Sequence, residues 1–237
     1  MRIRGWEPLG PAARAARGRA FRRQRFGLFL GLIDEVLLQQ ESCRILDIGG
    51  EPGYWAAVAD MLGQRQWHVT LLNQTTYPVE DSRFASLVGD ARDLSSFADM
   101  SFDLVHSNSV IEHVGRWPDM RAMAGEVRRL APGYFVQTPY FWFPIEPHCS
   151  TLFFHWVPES VRVSMLMRRP RGYWGRAPDV ETAMRQIQSA VLLDYRMMGT
   201  LFPDATIHRE RFLGMTKSLV AVRHGAKATP GDGVSDR

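Results

Sequence analysis

The sequence predicts an α/β fold, a doubly wound, mostly parallel seven-stranded sheet that ends with an antiparallel strand. Short apolar runs alternate with segments of helical period between residues 26 and 139. Those runs are apolar nearly throughout, as strands covered on both faces are. Near the end, two further runs flank Gly214 and read as a closing antiparallel pair.

The elements follow in order. "FGLFLGLIDEVLLQ" (26–39) has helical spacing and should cover one sheet face. "RILDIG" (44–49) is the first strand and "GYWAAVADML" (53–62) the helix after it. "HVTLLN" (68–73), "FASLVGDA" (84–91) and "FDLVHSN" (102–108) supply three more strands. "MRAMAGEVRRLA" (120–131) is a helix that Pro132 and Gly133 stop, and "YFVQTP" (134–139) is the fifth strand. Residues 140–180, rich in aromatics, proline and histidine, interrupt the rhythm as an insertion. A helix over 181–198 and strands over 205–214 and 216–224 complete the domain.

The organisation is therefore a basic arm (1–25), one domain (26–224) carrying the 140–180 insertion, and a polar, turn-rich tail (225–237) expected to be disordered. At 237 residues, with 45% hydrophobic and 23% charged positions, the composition is that of an ordinary globular protein. No apolar run approaches the roughly 20 residues of a membrane span, and no secretory signal is evident. Two cysteines, Cys43 and Cys149, make neither a disulfide framework nor a metal-ligand spacing, which points to a reducing, cytoplasmic setting. Residues 1–26 hold eight arginines against Glu7 alone, so the net +4 of the chain is an arm of +7 on a body of −3. Such an arm suits phosphates or an anionic membrane face. Arginine also outnumbers lysine throughout, with Lys217 and Lys227 the only lysines, so a compositional bias explains it as well.

Chemistry is expected beyond the carboxyl ends of the strands, where a doubly wound sheet binds ligands. There "RILDIGGEPGYW" delivers Asp47, Gly49, Gly50 and Gly53, glycines that let the backbone approach a ligand. The G-x-G-x-x-G of dinucleotide folds and the Gly-Lys-Ser/Thr of triphosphate loops are both missing. Taken singly, Asp47 reads equally as a helix cap and Asp90 as a turn carboxylate.

Four segments in order, "LDIGGEPGYW", "VTLLNQ", "LVGDARDL" and "FDLVHSNSVIEHV", resemble the class I, Rossmann-like methyltransferases that use S-adenosylmethionine, over roughly residues 40–140. The resemblance implies that Asp47 accepts from the cofactor's ammonium group, directly or through water, and that Gly49, Gly50 and Gly53 make room for its methionine moiety. It implies that Asn73 binds the ribose hydroxyls, Asp90 the adenine amino group, and the Ala91 N–H a ring nitrogen. Ser107 and Asn108 fall beside the methionine portion. Asp47 and Asp90 should then face one shared hollow. Two positions depart from the family pattern. Glu51 stands where a glycine is usual, so its side chain should point away from the ligand. Asn73 replaces a carboxylate, giving up a charge-assisted bond.

The implied activity is methyl transfer to a small-molecule acceptor, O-methylation of a saccharide, lipid-linked glycan or secondary metabolite being favoured. The alternative is a non-catalytic protein that kept the fold with a degenerate cofactor site. No nucleic-acid partner is expected. A peripheral membrane contact through the insertion's aromatics and Arg168, Arg169 and Arg171 stays open. His148, in "FPIEPHC", is the candidate to act as base or to orient the acceptor, with Glu146 setting its tautomer and prolines 144 and 147 stiffening the segment. His113, in "IEHV", is a further candidate, either catalytic or shaping the pocket, and His106, inside a strand, reads as packing. No metal set is expected, because Glu146-x-His148 with one distant histidine lacks ligand spacing.

Overall fold

The computed structural model describes residues 11–172 and 174–225, and the outer parts of the expected arm and tail lie outside them. In chain order the elements are α1 (Pro11–Leu37), β1 (Cys43–Ile48), α2 (Pro52–Ala56), α3 (Ala59–Leu62), β2 (Trp67–Asn73), β3 (Phe84–Val88), β4 (Leu104–Asn108), α4 (Trp117–Leu130) and β5 (Gly133–Pro139). The insertion supplies β6 (Ile145–Glu146), β7 (Thr151–Leu152) and α5 (Glu159–Arg168). Then follow α6 (Val180–Gln188), α7 (Tyr195–Leu201), β8 (Thr206–Phe212) and β9 (Met215–Arg223). Among the described residues no helix is long and apolar enough to cross a membrane.

Seven strands form one sheet in the order β3-β2-β1-β4-β5-β9-β8. β1 pairs in parallel with β2 and β4, and β9 runs antiparallel to both β5 and β8, as expected. β1 is buried along nearly its whole length, whereas β3, at the edge, is mostly exposed. That contrast is what continuous apolar runs in a two-sided sheet produce.

One face of the sheet is covered by α1, through Phe26, Phe29, Leu32 and Ile33, together with Trp55 and Val58 from the segment after β1. The other is covered by α4 and α7, through Met120, Met123, Val127, Met198 and Leu201. A third, smaller core under the insertion gathers Cys149, Phe154, Leu166, Ala183 and Ile187. This cap packs α5 against α6 above the carboxyl end of the sheet.

Three boundaries differ from expectation. The first helix starts at Pro11 rather than 26, so much of the basic arm is helical. Arg23 makes a two-pronged ion pair with Asp60, and Arg25 meets Glu210 at 3.2 Å. The helix over 53–62 is two short pieces, α2 and α3. The helix over 181–198 is also two, because Asp194 caps a new helix by accepting from the Met197 N–H. The extended link between α6 and α7 donates its Val191 N–H to the carbonyl of Glu112.

Candidate active site

Strand order reverses between β1 and β4, and both strands present polar residues at that switch point. Asp47 and His106 are neighbours in the β1–β4 register. The His106 Nδ1–H donates to Asp47 Oδ1 at 2.7 Å, and Trp55 Nε1–H donates to Oδ2 at 2.7 Å. With Nδ1 protonated, His106 Nε2 accepts from the Tyr54 hydroxyl at 3.2 Å. Burial, helped by the Asp47 charge, raises the Tyr54 pKa and keeps that proton in place. His106 also stacks on Phe135, at 5.4 Å and 8° between planes. The expectation that His106 merely packs is thereby corrected. It carries the hydrogen-bond chain that holds Asp47.

Asp47, at 2% exposure, lines a hollow of ≈ 410 Å³ with Gly49, Gly50, Gly53, Tyr54 and Asn108. Arg22, from the basic helix, lines it too. Gly49, at φ +74°, makes the turn out of β1, and a side chain there would strike Val110. Beside Gly53, by contrast, a Cβ would meet only open space, so the loop leaves a cradle at the helix start.

A second hollow, of ≈ 830 Å³, is lined by Asn73, Asp90, Ala91, Arg92 and His113. Gly49, Glu51, Ser109 and Val110 border both. Asp47 and Asp90 thus lie at opposite ends of two adjoining hollows rather than in a single chamber.

Several predicted residues sit differently from expectation. The Asn73 amide is turned onto the loop, with Oδ1 accepting from the Gln74 N–H and Nδ2 donating to the Gly50 carbonyl. Asp90 is held by Arg92 at 2.6 Å, and those hydrogen bonds keep its carboxyl below the ordinary range. Ser107 is fully buried and borders neither hollow. Ser109 does, at φ +59°, a left-handed turn tied down by its N–H and hydroxyl to Gln137. Glu51 borders both hollows and accepts from the Tyr77 hydroxyl at 3.3 Å, so it does not simply point away.

The acceptor-side candidates do converge. His148 Nδ1 lies 2.7 Å from Glu146 Oε1, and His148 Nε2 lies 3.2 Å from His113 Nε2. Glu146 is buried, which works against its charge, yet bonds from His148 and the Cys149 N–H hold its carboxyl below the usual value. Burial lowers the His148 pKa, and the bond to Glu146 more than restores it, so the net direction is upward. His113 Nδ1 faces the Ser189 carbonyl at 2.7 Å. Glu112, beside His113, is wholly buried; Thr138 donates to one of its oxygens at 3.0 Å. Sequence reasoning passed over Glu112, although "IEH" in a short 3-10 helix places one acid inward and one histidine outward.

Across this cluster lies a cap cavity of ≈ 200 Å³, lined by Glu146, Phe141, Phe154, His155, Arg162 and Trp174 among others. The aromatic cluster of the insertion is split. Phe143 and Phe154 are buried, while Trp142, Phe153 and Trp156 are exposed.

Residues 46–135, less than half of the chain, match the family model described as a methyltransferase domain. No curated protein matches the chain. Among solved structures, it is similar to the magnesium protoporphyrin IX methyltransferase of Synechocystis PCC 6803 with bound SAH. The identity is 12%, over 92% of this chain and 90% of that one, at a TM-score of 0.52. It is also similar to the CurJ carbon methyltransferase, at 13% identity over 80% of this chain and a TM-score of 0.49, and spans 50% of that chain. The arsenic (III) S-adenosylmethionine methyltransferase of Chlamydomonas reinhardtii is 19% identical over 80% of this chain and 64% of that one, at a TM-score of 0.44. At these identities the likeness is one of fold, and the first of the three carries it.

Proposed function

We propose that this chain, which carries the methyltransferase domain of a class I, S-adenosylmethionine-dependent enzyme, methylates a small-molecule acceptor at oxygen. The observation that carries the acceptor reading is the 3.2 Å contact between His113, in the wall of the second hollow, and His148, whose partner Glu146 borders the cap cavity.

The residues present fit the cofactor. Asn108 Oδ1 is buried without a protein partner at the hollow that Asp47 borders. A carboxylate has about four acceptor sites, so Asp47, holding two donors already, still offers one to an ammonium group. Arg22 stands in the same hollow as a counter-charge for a carboxylate. The open side of Gly53 leaves room for both. In the second hollow Ala91 and Asp90 take the base, and Glu51 brings to the junction the carboxylate that Asn73 lacks. Bound there, S-adenosylmethionine supplies an activated methyl group, whose carbon bonds to the acceptor oxygen as the sulfur–methyl bond breaks and its electron pair stays on sulfur.

The protein's own task is alignment and exclusion of water, worth roughly 7–11 kcal/mol when the reacting atoms are well placed. His113, Glu146 and His148 form the polar end at which an acceptor hydroxyl is oriented and loses its proton. Glu146 fixes the His148 ring through Nδ1, leaving Nε2 to face His113. A saccharide, lipid-linked glycan or secondary metabolite suits this arrangement. The exposed Trp142, Phe153 and Trp156 support a lipid-linked acceptor presented at a membrane surface. A reducing, cytoplasmic setting belongs to the same proposal, with Cys43 and Cys149 both free and buried.

Calorimetric titration tests the donor half. Micromolar binding of S-adenosylmethionine is expected, and no binding at millimolar cofactor would favour the non-catalytic alternative. Transfer of labelled methyl to oxygen in a panel of hydroxylated acceptors tests the other half; label on carbon or nitrogen alone would overturn the choice of oxygen.

A further inference from the structure

The histidine pair has an unsolved proton problem. The Ser189 carbonyl can only accept, so His113 carries its proton on Nδ1. The Glu146 carboxylate likewise places the His148 proton on Nδ1. In the neutral rings both Nε2 atoms are then lone pairs, and they face each other at 3.2 Å. Such a contact is repulsive unless a positive centre lies between the nitrogens.

Glu112 points to what that centre is. Its Oε2 accepts from Thr138, but Oε1 is buried with no partner, and it stands 4.0 Å from His113 Nε2. A buried carboxylate oxygen left unpaired is costly. A shared proton would serve only the two imidazoles and leave Glu112 unsatisfied. A cation serves all three, whose donor atoms lie within 4.8 Å of one another.

We infer that Glu112, His113 and His148 bind a divalent transition-metal ion at the mouth of the cap. The spacing suits it. Metal–imidazole bonds of about 2.0–2.1 Å at tetrahedral or octahedral angles set neighbouring nitrogens about 3 Å apart. Closing the site asks Glu112 Oε1 to move toward the ion from its present 4.0 Å to His113 Nε2. Two imidazoles and one carboxylate select zinc, cobalt, iron or nickel rather than magnesium or calcium, which prefer oxygen ligands. Each ligand already has the support that metal sites require: Ser189 for His113, Glu146 for His148 and Thr138 for Glu112. Among the described residues this is the one such group of three. It went unseen in the sequence because Glu112 was passed over and His113 lies 35 residues from His148.

Three protein ligands leave a coordination position open, the pattern of a catalytic site. His113 borders the second hollow and Glu146 the cap cavity, so that position lies where the acceptor oxygen must stand. This use of the metal rests on the methyl-transfer reading; the binding of metal does not. An acceptor hydroxyl bound to the ion loses its proton to solvent more readily, and the resulting oxygen is held ready for the methyl group.

The test uses tag-free, full-length protein stripped with a chelator and titrated with Co²⁺ alone, followed by visible absorption. One equivalent is expected to bind with the spectrum of nitrogen- and oxygen-coordinated cobalt. His113→Ala and His148→Ala should each weaken binding at least 100-fold. Glu146→Gln should weaken it about 10–100-fold, as loss of a supporting hydrogen bond does. Glu112→Gln keeps the side-chain volume and should also weaken binding, which covers the case that a histidine truncation disturbs folding. Absence of Co²⁺ binding in the wild-type protein, or equal binding in wild type and the four variants, overturns the inference. Calorimetry with S-adenosylmethionine on the same samples reports the donor hollow separately. Cofactor binding without cobalt binding sinks the metal alone, and cobalt binding without cofactor binding sinks the methyl-transfer reading alone.

Discussion

The donor hollow and the cap cluster solve the burial of charge in opposite ways. Around Asp47 the carboxylate and its donors are paired from within the sheet and its adjoining helix, and at that hollow Asn108 Oδ1 is left open. His106 and Trp55 donate to the carboxylate, and Tyr54 donates to His106. The cap cluster is unfinished, with two imidazole nitrogens facing each other and one buried carboxylate oxygen without a partner. A self-satisfied network holds shape before a ligand arrives; an unsatisfied one waits for a ligand to complete it. In the proposed function, the Asp47 end is preorganised and the His113–His148 end recruits.

The sharpest way to break this comparison is to open the satisfied network. Asp47→Ala leaves the buried donors of Trp55 and His106 unpaired, each costing roughly 1–3 kcal/mol. Thermal unfolding should show a drop of several degrees, and calorimetry a loss of cofactor affinity of about 100-fold or more. A variant as stable and as tight as wild type would mean that Asp47 is peripheral. His148→Ala should behave in the reverse sense. Turnover at saturating cofactor, measured with an acceptor found by label transfer, is expected to fall about 10²-fold or more, with cofactor affinity within about twofold of wild type. An unchanged rate would remove His148 from the mechanism. The smallest effect sharpens the junction between the hollows. Glu51→Ala should weaken cofactor binding about tenfold and Asn73→Ala only about threefold, because the Asn73 amide is committed to the loop. The opposite ranking would return the ribose contact to Asn73.

The two regions also differed in how readable they were. Asp47, Gly49, Gly50 and Gly53 fall within one seven-residue stretch, and a buried strand followed by a glycine loop has a local signature. Asp90 and Asn73 were placed at strand ends for the same reason, but their hydrogen bonds were not visible in sequence. Nothing local says that Arg92 holds Asp90 or that the Asn73 amide folds back onto Gly50. Ser107 was misplaced because its side chain is buried within β4, while the next residue, Asn108, borders the hollow. The break between α6 and α7 had one available signal, Asp194 as a helix cap, which the apolar spacing on either side obscured.

What the sequence determined by itself is the sheet, its final antiparallel strand and the donor loop, because each rests on periodicity or on residues adjacent in the chain. Only the tertiary structure decided the acceptor end. His113 meets His148 from 35 residues away and Ser189 from 76. Contacts over such separations are set by how the cap and the α6–α7 link pack onto the sheet edge, and packing leaves no local pattern. Glu146 is the exception: it stands two residues from His148, and its hold on that ring was legible from their closeness in the chain.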